Sequence, residues 1–464
     1  MRDLNVLLIS TYELGRQPFG LASPAAWLRA DGHFVHLLDL SRQSLDEELV
    51  RAAHLIAFFL PMHTATRLAL RALVKVRDLN PRAHLCAYGL YAPVNAELLR
   101  RLGVATILGG EFEAGLRSLA RRLCVTEGEI ARTPQVEPEI SLERQNFLVP
   151  DRAGLPPLDK YARLTLPDGS TRVVGYTEAS RGCKHRCRHC PIVPIYNGKF
   201  RIVSRDVVLE DIRRQVAAGA QHITFGDPDF FNGPTHAIEI VRALHREFPD
   251  LTYDVTIKVE HLLEQRELLP VLRDTGCAFV TTAVESVDDR VLRMLDKGHS
   301  RADFIHLAKL MHALGLFIVP TFVPFTPWTT LEGYQELLAT IAKLHLVENV
   351  PPVQLTIRLL IPAGSRLLEV TELYAVEVEA FEPELLVYPW RNPDPRVAEL
   401  QRELELLVQR ENKKGAGRTE IFSKIWMQTQ CARGASPETA DMLPPLAPMP
   451  ARATIPYLTE PWYC

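Results

Sequence analysis

Residues 178–200, "EASRGCKHRCRHCPIVPIYNGKF", hold three of the chain's eight cysteines, Cys183, Cys187 and Cys190, within eight residues. The stretch opens on the end of "VVGYTEAS" (173–180), a β-branched and aromatic run that predicts a strand. On a parallel sheet, ligand sites gather outside the carboxyl ends of the strands, and the cysteines fall there. Three closely spaced thiolates can hold three irons of a [4Fe-4S] cluster and leave the fourth open to a chelating ligand. The alternative is a zinc knuckle with His185 or His189 as fourth ligand, although the cysteines of structural zinc sites tend to come in CxxC pairs. On spacing alone both stay open.

Downstream, further strands are predicted at "HITFG" (222–226), "YDVTIK" (253–258), "AFVTTAVE" (278–285), "FIVPTFV" (317–323) and "VQLTIRLLI" (353–361). Helical segments such as 204–219 and 330–345 separate them. Six βα units predict a partial (β/α)6 barrel over 173–365, short of the eight that close one. A mostly helical extension is expected over 366–430, including "RVAELQRELELLVQRENKKG" (396–415), whose charged periphery reads as a solvated packing helix. The proline-rich stretch 431–464 is expected to be a flexible tail. Upstream, "NVLLIS", "FVHLLDL", "HLIAFFL", "AHLCAYG" and "VATILGG" alternate with amphipathic stretches over residues 1–124. Five such pairs predict an α/β domain with a flavodoxin-like, doubly wound parallel sheet. Residues 125–172 turn irregular and proline-bearing, as a linker does.

At 47% hydrophobic and 23% charged, the 464 residues have ample material for such domains. The formal net charge of -3 offers none of the basic surplus of a nucleic-acid or anionic-membrane surface, so neither partner is expected. The start of the chain has no charged leader before a long apolar core, and no run approaches the roughly 18 to 20 apolar residues of a membrane span. Cys86, Cys124, Cys277, Cys431 and Cys464 are scattered singly, unlike a disulfide framework. The expected location is the cytoplasm, with thiols kept reduced.

Set in a six-unit partial barrel, "CKHRCRHC" (183–190) matches the CxxxCxxC signature, and the chain resembles the radical S-adenosylmethionine (radical SAM) superfamily. The resemblance implies a [4Fe-4S] cluster on Cys183, Cys187 and Cys190. It also implies S-adenosylmethionine held on the open iron through its amino and carboxylate groups, and one-electron cleavage to a 5'-deoxyadenosyl radical. An electron donor such as flavodoxin or ferredoxin is implied, and a small-molecule or peptide substrate that the sequence does not identify. His189 stands where an aromatic residue is usual. "FGDPDFF" (225–231) resembles the turn that meets the methionine amino group, which assigns Gly226 and Asp227. "IKVEHL" (257–262) resembles a pattern in which Lys258 contacts the carboxylate, with Glu260 beside it; an exposed salt bridge is the alternative. "AVESVDDRVLRMLDKG" (283–298) resembles an element in which Glu285 accepts from both ribose hydroxyls and Ser286 lies next to it.

The N-terminal domain resembles cobalamin-binding modules that precede many such barrels. Its first loop, "STYELGRQPFG" (10–20), lacks the histidine of the DxHxxG pattern. Cobalamin would then bind without a protein ligand, between residues 59–67, 88–93 and 108–115 and the barrel mouth. His63 reads as a helix-start or pocket residue rather than a cobalt ligand. With cobalamin the implied chemistry is methyl transfer; without it, hydrogen abstraction. An electron-transfer protein and a zinc-stabilised binding module are the other classes considered. From residues 147–164 through "RGCKHRCRHCPIVPIYNGKFR" to 320–330, the chain is similar to the radical SAM family named for its CUAEP or CCAEP tail. The sequence stops at Cys464, so the resemblance implies a selenoprotein that continues as selenocysteine, alanine, glutamate and proline. Cys464 is then a candidate catalytic thiol.

Overall fold

The computed structural model describes residues 3–124, 137–371, 376–435 and 455–460. The five N-terminal apolar runs become β1 (Asn5–Ser10), β2 (Phe34–Asp39), β3 (Leu55–Phe59), β4 (His84–Tyr88) and β5 (Thr106–Gly110). All pair in parallel in the order β2-β1-β3-β4-β5, and β6 (Ile140–Ser141) extends the edge. That is the expected flavodoxin-like order. Alternation along each strand feeds two cores. Val6, Leu8 and Ala57 pack under the helices Phe19–Ala30 and Phe112–Leu123, whereas Leu7, Ile9 and Ile56 face Leu73 and Val76 of the helix His63–Leu79.

The second sheet runs β14-β13-β12-β11-β8-β7-β15, with β7 (Arg163–Thr165) and β15 (Tyr457–Leu458) at one edge. Its parallel part is β8 (Thr171–Thr177), β11 (His222–Phe225), β12 (Thr252–Thr256), β13 (Cys277–Glu285) and β14 (Ile318–Phe322). Between these strands lie helices such as Arg205–Ala217, Pro234–Glu247 and Arg301–Leu314. The last of these starts on a capping box of Ser300 and Asp303 and ends on Gly315 at φ +65. The result is a partial barrel whose sixth unit is reduced. Residues 353–361 begin as the 3-10 turn Pro352–Leu355 and join the barrel through one parallel bridge, Phe325 to Arg358. Prolines explain it: Pro351, Pro352 and Pro362 on one side and Pro324 and Pro327 on the other lack the N–H that a ladder needs.

Three further expectations are corrected. The segment taken as linker supplies β7 (Arg163–Thr165), an antiparallel neighbour of β8. The extension is helical at Leu368–Thr371, Pro395–Lys413 and Arg418–Ala432, but residues 376–394 are irregular, with antiparallel bridges Val378 to Trp390 and Glu382 to Val387. Pro383, Pro389 and Pro393 bar a helix there. The proline-rich tail contains a packed element, β15 (Tyr457–Leu458), which pairs antiparallel with β7 and buries Leu458 against Leu164, Val174 and Phe279. Proline bars only its own donor, and Tyr457 and Leu458 keep theirs. Among the described residues, no helix is long and apolar enough to cross a membrane.

Candidate active site

A cavity of about 480 Å³ lies between the carboxyl ends of the two parallel sheets. Loops after β1, β3, β4 and β5 line one side through Glu13, Met62, Tyr91 and Phe112; Gly226, Lys258 and Glu285 of the barrel line the other. The three segments proposed for cobalamin contribute Phe59, His63, Gly89 and Gly110. His63 opens its helix, and its ring Nε2 lies 2.6 Å from the Leu385 carbonyl; burial lowers its pKa.

The three cysteines follow β9 (Ser180–Gly182), which pairs antiparallel with β10 (Phe200–Ile202), and all three line the cavity. Each is a free thiol. Gly182 at φ +73 turns the chain into the loop; a side chain there would collide with Tyr196 and the Lys199 carbonyl. Asn232 clamps the entry, donating to the Gly182 carbonyl (3.1 Å) and accepting from the Lys184 amide (3.1 Å). Burial pushes the Cys183 thiol up to about 12 and the Cys190 thiol up to about 11, and the neighbouring sulfurs push the same way. Thiols held so close together become thiolates together only around a cationic centre, which fits a cluster whose irons they ligate.

Glu285 is buried at the end of β13, where the ladder shifts register, at φ +67. Burial alone raises its pKa, but the Lys297 ammonium at 3.2 Å and His189 Nε2 at 3.1 Å outweigh it and hold the carboxyl at about 2. Since His189 precedes Cys190, this carboxylate also ties β13 to the cysteine loop. Asp227 does the same from β11: its oxygens accept from the Ala179 amide (2.9 Å) and the Ser180 hydroxyl (2.6 Å), and burial pushes its pKa to about 7. Gly226 is required by close approach, since a Cβ there would lie 1.8 Å from the Tyr176 hydroxyl. Lys258 does pair with Glu260, at 2.8 Å, but from a buried position, with its Nζ 3.1 Å from His185 Nδ1. Ser286 is outside the cavity lining; its hydroxyl accepts from the Asp288 amide and shapes the turn into the next helix. Cys464 lies outside the described residues.

Four participants were not singled out from the sequence. Lys297 stood unmarked in "DKG", and nothing in a linear reading signals that its ammonium is buried against Glu285. Arg181, two residues before Cys183, is buried among Glu113 (2.7 Å), Glu178 (2.7 Å) and Glu111 (3.7 Å), and stacks over Phe147 and Phe112. Tyr196 donates to Glu111 at 3.0 Å, so both ends of the cysteine loop lean on the loop after β5. Glu13 lines the cavity, one carboxyl oxygen without a hydrogen bond, its pKa raised by burial and then by Glu178 and Asp39.

The radical SAM superfamily model matches residues 177–341, from the end of β8 into the helix after β14. The chain is 25% identical over 335 residues to the hopanoid C-3 methylase of Methylococcus capsulatus, covering 69% of this chain and 64% of that enzyme. It therefore spans less than two thirds of that relative's length. The radical S-adenosylmethionine methyltransferase TsrM from Kitasatospora setae, with tryptophan and a SAM analogue bound, superposes over 97% of this chain and 92% of its own (TM-score 0.63, 14% identity). OxsB, a cobalamin-dependent S-adenosylmethionine radical enzyme with aqua-cobalamin and S-adenosylmethionine bound, superposes over 88% of this chain and 67% of its own (TM-score 0.64, 14% identity). At such identities the likeness concerns the fold. Residues 177–341, which carry Cys183, Cys187 and Cys190 at the mouth of the partial barrel, form a radical SAM superfamily domain.

Proposed function

We propose that the protein is a radical SAM enzyme that cleaves S-adenosylmethionine reductively and turns the resulting radical on a substrate in the interdomain cavity. The observation that carries this reading is the convergence of three free cysteines with Gly226, Asp227, Lys258 and Glu285 on one cavity. The cluster, when bound, supplies the electron that breaks the sulfonium to give methionine and a 5'-deoxyadenosyl radical. Around it, the residues bind and orient. Lys258 offers its ammonium to the methionine carboxylate, the turn at Gly226 and Asp227 meets the amino group, and Glu285 accepts from the ribose hydroxyls. Apolar walls such as Phe112 and Val323 exclude water from the radical. A flavodoxin or ferredoxin is the proposed reductant, and the substrate is a small molecule or peptide.

A second reading rests on the six-stranded domain whose strand ends line the same cavity: cobalamin would be held in the N-terminal half of the cavity, and the enzyme would transfer methyl groups. TsrM and OxsB, of the same architecture, have been solved with cobalamin. With His63 engaged by the Leu385 carbonyl, reconstituted cobalamin is expected to show no protein nitrogen on cobalt. A nitrogen-coordinated spectrum would remove this version. The primary test is anaerobic reconstitution with iron and sulfide. A brown protein that forms 5'-deoxyadenosine with dithionite is expected, and Cys183→Ala, Cys187→Ala and Cys190→Ala should each abolish formation. Turnover in any of the three, or tightly held zinc with no cleavage, overturns the assignment.

A further inference from the structure

Beside the cysteine loop, three side chains from three elements converge on one point. His185 comes from the loop itself, Asp229 from the turn after β11 and His261 from the helix Val259–Glu264 after β12. Asp229 and His261 are 1% and 4% exposed. Asp229 Oδ2 lies 2.7 Å from His261 Nδ1 and 3.7 Å from His185 Nε2, and the two imidazole Nε2 atoms lie 3.1 Å apart. One ligand atom from each residue fits within a 4.8 Å group. Yet neither Asp229 Oδ2 nor His261 Nδ1 makes a hydrogen bond, close as they are: the N–H direction misses the oxygen. Two buried polar atoms left so would be costly. Ligands about 2.0–2.2 Å from one metal ion stand roughly 3 Å apart at its vertices, and need not point at each other.

We propose that His185, Asp229 and His261 form a binding site for one divalent transition-metal ion, separate from the three cysteines. Two imidazoles and one carboxylate suit zinc or iron(II), whereas magnesium and calcium favour oxygen donors. The carboxylate is already oriented, because Asp229 Oδ1 is occupied by the Phe231 amide at 3.1 Å and leaves only Oδ2 to ligate. An outer carboxylate is in place as well. Glu260 Oε2 lies 3.5 Å from His185 Nδ1, the partner a metal-bound imidazole needs for its other N–H. With the metal on Nε2, His185 Nδ1 faces Glu260 as a donor, and Lys258, which lies 3.1 Å from that nitrogen and 2.8 Å from Glu260, still lines the cavity. His185 and Asp229 line the interdomain cavity, so open coordination positions face it.

The test is zinc retention, which needs no cleavage of S-adenosylmethionine. The reconstituted holoenzyme is loaded with zinc, desalted and examined by metal analysis and zinc-edge X-ray absorption. One zinc per chain beyond the cluster iron is expected, with nitrogen and oxygen neighbours only. Asp229→Asn, which keeps the contact to the Phe231 amide, and His261→Gln should lose the zinc and keep the iron. Equal zinc in an Asp229→Asn protein with full iron overturns the site. So do no retained zinc at all and sulfur in the zinc shell. If no cluster can be installed, the triple alanine variant of Cys183, Cys187 and Cys190 is loaded instead. Zinc with nitrogen and oxygen neighbours there supports the site even though the radical SAM reading has failed; none overturns it.

Discussion

Glu285 concentrates what single residues contribute. Its left-handed backbone disfavours an L-residue by roughly 1–2 kcal/mol, and the register shift in β13 that accommodates it aims the carboxylate at the cavity. Lys297 and His189 offset that strain with charge and hydrogen bonding. Removing the carboxylate strands the buried Lys297 ammonium, so Glu285→Ala should destabilise the protein by about 3–5 kcal/mol in urea unfolding. Adding Lys297→Met should recover part of that loss. If Glu285 holds the ribose, binding of S-adenosylmethionine should weaken in both variants while cluster iron is unchanged. Unaltered affinity would confine Glu285 to structure. At Gly226 a single methyl meets the Tyr176 ring, and Gly226→Ala should cost about 1–3 kcal/mol or more by the same measurement.

At the level of elements, the cysteine loop is held by what surrounds it. Asp227 and Asn232 grip its entry, and Arg181 and Tyr196 carry it across to Glu111 and Glu113 beyond β5. Three carboxylates, Glu178 included, face one guanidinium. Burial raises Glu111 to about 7 against the pull of Arg181, while Glu113, gripped by Arg181, Ser23 and Gln145, stays below its usual value despite burial. The sign follows from proton counts. Between an unfolded value near 4.3 and about 7, the folded protein binds more protons at Glu111 than the unfolded chain does, so this group's contribution to stability falls as pH rises through that window. Urea midpoints at pH 5 and pH 7.5 should therefore differ less in Glu111→Gln than in the parent. An unchanged difference would mean that Glu111 is ionised throughout.

Across the whole molecule, the tail joins what the linker separates. β15 adds to the barrel sheet, Tyr457 and Leu458 line the cavity, Arg418 lies over the Tyr457 ring, and Glu460 pairs with Arg42 of the N-terminal domain at 3.3 Å. Leu458→Asp should release this strand, lower the melting temperature and increase binding of an apolar dye to the opened cavity; unaltered dye binding would show that the strand is no wall. Both parallel sheets and the cysteine cluster were legible in the sequence, because a buried parallel strand needs a continuous apolar run and a cluster needs its thiolates close together on one loop. The sixth barrel strand was misread since apolar content does not reveal that prolines on two distant segments would have to pair. By itself the sequence determined the two α/β units, their order and the radical SAM signature, all of which rest on local periodicity and spacing. Only the tertiary structure decided that Lys297 and Arg181 are buried partners, that Ser286 turns away, that β15 closes the cavity, and that His185, Asp229 and His261 meet. Those facts depend on contacts between residues far apart in the chain, and the energy of a buried charge is set by the neighbours that folding brings to it.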